Sequence, residues 1–144
     1  MKDKQYISWE EFHRHVKQLA EKIREEGVYR PIIAVSRGGL LPAGTLAYEL
    51  NIRNCQSLNM VSYDGAAARR DEDVEILDTG LQADEQTLIV DDLSDSGRTF
   101  RLLRRLYPKA RYVTVYSKPA GRSQVDLCAV ELPDRWVVFP WDVE

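Results

Sequence analysis

The periodicities of the chain predict an α/β fold with a mainly parallel sheet flanked by helices. Three observations carry that reading. Short continuous β-forming runs recur at Pro31–Ser36 and Thr87–Val90, and stretches with apolar residues at helical spacing follow them. Between each run and its helix stands a short loop rich in glycine, serine or arginine. A chain of 144 residues is expected to form one domain over residues 1–144, burying ~68–70% of the surface its unfolded form exposes.

Taken in order, Ser8-Trp9-Glu10-Glu11 has the capping-box pattern, which satisfies two of the free amides at a helix start. Phe12, Val16, Leu19, Ala20 and Ile23 then recur on one face until Gly27, predicting an amphipathic helix packed on the sheet. Pro31–Ser36 reads as a buried strand, Arg37-Gly38-Gly39 as its terminal loop, and Leu40–Leu50 as a helix that tolerates Pro42 in its first turn. Further strands are expected near Ser57–Ser62, Thr87–Val90, Tyr112–Ser117 and Asp126–Glu131, with a helix over Phe100–Tyr107 that Pro108 stops. The stretch from Asp64 to Gly80 is small, charged and poor in core-forming residues, so it is expected to be a mobile excursion.

The loop Asp91-Asp92-Leu93-Ser94-Asp95-Ser96-Gly97-Arg98-Thr99 lies between a strand's carboxyl end and a helix's amino end. Unpaired backbone amides and the helix dipole favour an anion there, Ser96 and Thr99 add hydroxyl donors, and Gly97 permits close approach. A phosphate fits such a cradle. Two adjacent carboxylates aimed at that phosphate would repel it, so Asp91 and Asp92 are expected to accept hydrogen bonds from sugar hydroxyls or to hold Mg²⁺. The spacing therefore predicts a phosphosugar site on one edge of the sheet, outside the strand carboxyl ends.

Two acids followed by a loop ending Gly-x-Thr resemble the phosphoribosyl-pyrophosphate (PRPP) signature of type I phosphoribosyltransferases. Ser36-Arg37-Gly38-Gly39-Leu40, Ser62-Tyr63-Asp64, Ser117-Lys118-Pro119-Ala120-Gly121-Arg122 and Pro140-Trp141-Asp142 stand in the order and approximate spacing of the bacterial xanthine-guanine branch. The resemblance spans about residues 5 to 142. It implies the family fold, with a small hood and a lid over about 62–80 that includes Ser62 and Tyr63. It further implies PRPP and a purine base as substrates, Mg²⁺ as cofactor with Asp92 as its carboxylate partner, and transfer to a 6-oxopurine in purine salvage. PRPP and its phosphates would be held by Arg37, Gly38, Arg69, Asp91, Asp92, Asp95, Ser96, Gly97, Arg98 and Thr99. Asp95 would be the catalytic group near purine N7, Lys118 the donor to the 6-oxo group, Trp136 the stacking ring, and the Val137 carbonyl the contact at the 2-position. A cis peptide at Ser36–Arg37 is also implied. Arg98 stands where the family usually has a second glycine, and Val138 where a polar, often acidic residue is usual. That second departure, with a chain ending soon after Trp141-Asp142, bears on the choice among guanine, xanthine and hypoxanthine. A non-catalytic sensor of PRPP or nucleotides, or a transferase for another nucleobase, are the alternatives.

Composition narrows the field further. Twenty Lys and Arg against 23 Asp and Glu give a net charge of −3, which argues against nucleic acid as a partner. The local cluster Arg98, Arg101, Arg104 and Arg105 reads as a solvated helix face, or as a source of positive potential near a polyphosphate. With no apolar leader and no apolar run long enough to span a bilayer, a cytoplasmic protein without an integral membrane segment is expected. By resemblance it would be a homodimer or homotetramer, with peripheral membrane association open. Cys55 and Cys128 are expected to be reduced core thiols. His13 and His15, about 200° apart around a helix, are expected at the surface.

Overall fold

A computed structural model describes residues 3–62, 74–77 and 80–143. Its elements are β1 (Lys4–Tyr6), α1 (Trp9–Glu26), β2 (Ile32–Ser36), α2 (Leu40–Glu49), β3 (Cys55–Ser62), β4 (Val74–Ile76), β5 (Leu88–Ser94), α3 (Arg98–Leu106), β6 (Arg111–Ser117), β7 (Leu127–Glu131) and β8 (Trp136–Val138), with a 3₁₀ turn at Arg122–Gln124. The main sheet runs β4-β3-β2-β5-β6-β7. All its pairings are parallel except β3 with β4, so the expected mainly parallel α/β architecture is observed.

Strand alternation divides the core into two layers. Leu88 and Val90 of β5, with Val113 and Val115 of β6, face α1 and α2, whose Val16, Leu19, Ile23 and Leu46 cover them. Ile89, Tyr112 and Cys128 face the other way, onto Phe100 and Leu103 of α3. Continuing that alternation sends Asp91 towards α3 and Asp92 towards α2. Helix α1 begins as its sequence predicts: the Glu11 amide donates to Ser8 Oγ at 3.1 Å, and the Ser8 amide to Glu11 Oε1 at 3.2 Å.

Several expectations change. A second, two-stranded parallel sheet joins β1 to β8, pairing Lys4 with Trp136 and Tyr6 with Val138; this is the hood, and its strands are too short to show any periodicity. Within the expected excursion, Val74–Ile76 is a strand that pairs with Met60–Ser62. Tyr63 and Arg69, with the rest of 63–73, lie outside the described residues, as do 78 and 79. Cys55 is exposed rather than buried, because β4 covers only the far half of β3 and leaves its start at the sheet edge. Cys128 is a buried free thiol. His15 is half-buried: it flanks the apolar stripe of α1, and its Nδ1 lies 2.8 Å from Tyr116 Oη. Arg104 is likewise drawn in, over the Tyr112 ring at 4.3 Å and 3.2 Å from Asp126. No helix among the described residues is long and apolar enough to cross a membrane.

Candidate active site

Two strand-to-helix turns on adjacent strands form the centre of the site. After β2 the chain passes through a cis peptide at Ser36–Arg37, and the Gly39 amide closes the turn on Val35 O at 2.8 Å. A Cβ on Gly39 would stand 2.2 Å from Val90 O and 2.8 Å from Val35 O, so the turn packs against β5 only with glycine there. Gly38 is pressed against the Asp92 carboxylate, whose two oxygens lie 2.8 Å from where its Cβ would be. The two turns are thus one packed unit.

The β5 turn is built around Gly97, at φ +87°, a conformation other L-residues adopt at a cost. The Arg98 amide donates to Ser96 Oγ at 3.3 Å, and α3 starts at once. Residues Ser94 to Phe100, with Asp91 and Thr114, enclose a cavity of about 90 Å³. Its amides and hydroxyls at a helix start suit an anion. Arg98, at the position where a second glycine is usual, is partly buried here. Beside this cradle opens a cleft of about 940 Å³ lined by Arg37, Gly38, Asp92, Trp136, Val137 and Trp141, among others.

The acids differ in surroundings. Burial, reinforced by the charge of Asp92, pushes the Asp91 carboxyl well above the usual carboxylate range. Asp92 is also raised by burial, against the opposing hydrogen bonds from Asp91 and the Leu93 amide. Asp92, opening on the larger cleft, suits a divalent cation, since Mg²⁺ takes one or two carboxylates and completes its shell with water and substrate oxygens. Among the described residues no group of three or more acids, cysteines or histidines forms a ready-made metal cage.

The loop after β6 supplies the third part. The Lys118 amide donates to Ser94 O at 3.0 Å, and Ser94 Oγ donates to Gly121 O at 2.8 Å. A Cβ on Gly121 would fall 2.3 Å from Ser94 O. That contact clamps the loop onto the end of β5 and sets Lys118 Nζ 3.3 Å from Asp95 Oδ1 and 3.9 Å from Asp134 Oδ1. Lys118 is only 6% exposed, while the Asp95 side chain is 69% exposed. Trp136, by contrast, is 64% exposed in the cleft wall.

Sequence reasoning singled out Pro140-Trp141-Asp142 without a role for it. Phe139 and Trp141 stack at 4.7 Å and 4°, and Trp141 meets Phe12 edge-on at 4.9 Å. Asp142 Oδ2 accepts from the Phe139 amide at 2.8 Å. This aromatic anchor holds β8, and hence Trp136 and Val137, against the body. The structure therefore brings Arg37, Gly38, Asp91, Asp92, the 95–99 loop, Lys118, Trp136 and Val137 to one end of the sheet. Ser62 closes β3; Tyr63 and Arg69 are outside the described residues.

An amide-rich turn at a helix start, acids beside it and an exposed aromatic wall thus meet at the carboxyl edge of a parallel α/β sheet, an arrangement that suits an anionic ligand. The chain belongs to the phosphoribosyl transferase domain family, which matches residues 4–144. It is 45% identical over 139 residues to a xanthine-guanine phosphoribosyltransferase of Idiomarina loihiensis, covering 96% of this chain and 86% of that one. The same-named protein of Nitratidesulfovibrio vulgaris is 42% identical over 139 residues, with 96% and 84% covered. Among solved structures, a purine phosphoribosyltransferase from Pyrococcus horikoshii superposes with a TM-score of 0.80 at 29% identity, over 98% of this chain and 95% of that one.

Proposed function

We propose that the protein is a purine-salvage phosphoribosyltransferase that converts a 6-oxopurine and PRPP to the nucleoside 5′-monophosphate and pyrophosphate. The observation that carries this reading is the buried Lys118 ammonium, 3.3 Å from Asp95, at the rim of the phosphate cradle. A buried cation beside an exposed carboxylate offers one donor and one acceptor to a planar heterocycle. Lys118 would donate to the 6-oxo oxygen while Asp95 faces N7. Trp136 would stack on the ring, and the Val137 carbonyl would meet the 2-position.

In this reading the 5′-phosphate occupies the 95–99 loop, held by backbone amides, Ser96, Thr99 and Arg98. Asp91 and Asp92 face the ribose hydroxyls. Arg37 and the Gly38 amide bind the leaving pyrophosphate, so negative charge is stabilised where it develops. Asp92 would hold Mg²⁺, which would supply neutralisation of pyrophosphate charge. As the C1–O bond breaks and positive charge grows on the anomeric carbon, N9 attacks, and Asp95 holds or receives the proton at N7. Residues of the 62–80 segment, Ser62, Tyr63 and Arg69 among them, would close over the site and exclude water. The family resemblance further supports a cytoplasmic homodimer or homotetramer, and light scattering checks the subunit number.

Steady-state assays with PRPP, Mg²⁺ and guanine, xanthine, hypoxanthine, adenine, uracil and orotate test the proposal. Turnover confined to the 6-oxopurines is expected. Binding of PRPP with no product from any base would instead indicate a sensor, and product from uracil or orotate alone would reassign the base.

A further inference from the structure

Thr114 is wholly buried in the middle of β6, yet its Oγ1 has no hydrogen-bond partner. The mechanism above gives it no task. Buried hydroxyls in folded proteins are nearly always partnered, because a dry donor without an acceptor has lost its water for nothing. Its position narrows what that partner is.

In the parallel register Thr114 stands between Asp91 of β5 and Cys128 of β7. The Cys128 sulfur already accepts from Ser117 Oγ at 3.3 Å. On the other side, strand alternation places Asp91 and Thr114 on the same face, towards α3, and both line the about 90 Å³ cavity under the phosphate loop. Neighbouring strands lie ~4.8 Å apart, so rotation of the Asp91 side chain is enough to bring its carboxyl onto the hydroxyl. Thr114 is also rigidly held, as a β-branched residue inside a fully paired strand.

We propose that Thr114 is a positioning residue for Asp91, its hydroxyl donating to the Asp91 carboxyl when that group turns to the ribose of bound PRPP. This rests on the reading of Asp91–Thr99 as the PRPP loop. It assigns the orphaned hydroxyl to the loaded state, where Asp91 gives up its present contacts for the sugar. A donor fixed on the adjacent strand then holds the carboxyl in the orientation the ribose requires.

T114V removes the hydroxyl at constant shape, whereas T114S keeps it and removes a methyl group. For T114V the expected results are an unlowered Tm without ligand, a KM for PRPP raised about tenfold, as one buried hydrogen bond is worth, and an unchanged KM for the base. The Tm increase given by PRPP should shrink in parallel. T114S should show the reverse: a lower Tm from lost packing, with a near wild-type KM for PRPP. A purely structural Thr114 would produce the opposite pairing. T114V with a wild-type KM and a wild-type PRPP-induced Tm increase overturns the assignment while leaving the function intact. If the wild-type protein itself gains no stability from PRPP, both this inference and the PRPP reading of the loop fall. Should T114V not fold, T114S compared with T114A isolates the same hydroxyl.

Discussion

At the residue scale the site depends on a few positions whose neighbours leave no alternative. Gly39 is one, because its missing Cβ is where Val90 O lies. Gly39→Ala should destabilise the protein by about 1–3 kcal/mol or more, since the obstructing atoms are backbone and cannot step aside. Gly44, inside α2, has nothing within 4 Å of an added Cβ, so Gly44→Ala should stabilise by about 0.5–1 kcal/mol through helix propensity. Denaturant titration of the pair reads both signs in one experiment. Asp95→Asn keeps the shape of the cradle rim but removes a proton acceptor. Turnover is expected to fall about 10²–10⁴-fold with PRPP affinity retained; unchanged turnover at saturating base would remove Asp95 from the chemistry.

His15 gives a pH dependence of known sign. Burial, with a smaller contribution from the Arg14 charge, lowers its pKa below the ordinary 6.5, against a weaker pull from Glu11. Between the lowered folded value and 6.5 the unfolded chain binds more protons than the folded one. The stability this group contributes is thus complete above pH 6.5 and is lost as pH falls through the folded value. Unfolding free energies measured from pH 7.5 down to 5 should decline more steeply in the wild type than in His15→Gln; parallel slopes would show that His15 charges freely in the folded state.

At the element scale, the local units were the legible ones. The capping box predicted the start of α1 to the residue, and Ser8→Ala should cost about 1 kcal/mol of stability on thermal unfolding. The β2-loop-α2 and β5-loop-α3 units were readable because each carries its strand, turn and helix signals within a short stretch. What stayed hidden was pairing between distant segments. Lys4–Tyr6 and Trp136–Val138 are each three residues long, and neither has a pattern until it meets the other. Cys55 and Cys128 both sit in β-like stretches, yet Cys55 is exposed because β4 stops short of it, while Cys128 on β7 is buried against the Phe100 and Leu103 layer. The contribution of Gly121 to placing Lys118 was likewise invisible, because it is a close approach to Ser94 rather than a chemical group.

Across the whole molecule, the loop after β5 and the Trp136–Val137 wall, the proposed phosphate and base sites, are supported by different parts of the structure. The first hangs on the main sheet, the second on the hood and the Phe12, Phe139 and Trp141 rings. Trp141→Leu should therefore raise the KM for the base several-fold while the KM for PRPP stays near wild type, as lost aromatic contacts are worth about 0.5–1.5 kcal/mol. Equal rises in both constants would mean that the hood and the sheet yield together.

The hood also decides how the protein should be handled at the bench. Lys4 pairs with Trp136, and the Trp136 amide donates to Asp3 O at 3.2 Å, while Val143 is 99% exposed on the rim of the same cleft. A bulky group attached next to Asp3 or Val143 consequently sits beside the Trp136 cleft rather than at a remote surface. Kinetic constants for the base are the ones such a group would distort. The exposed turn between α3 and β6, at Pro108 and Lys109, offers an attachment point on the opposite edge of the sheet, where a label would report on binding without touching it.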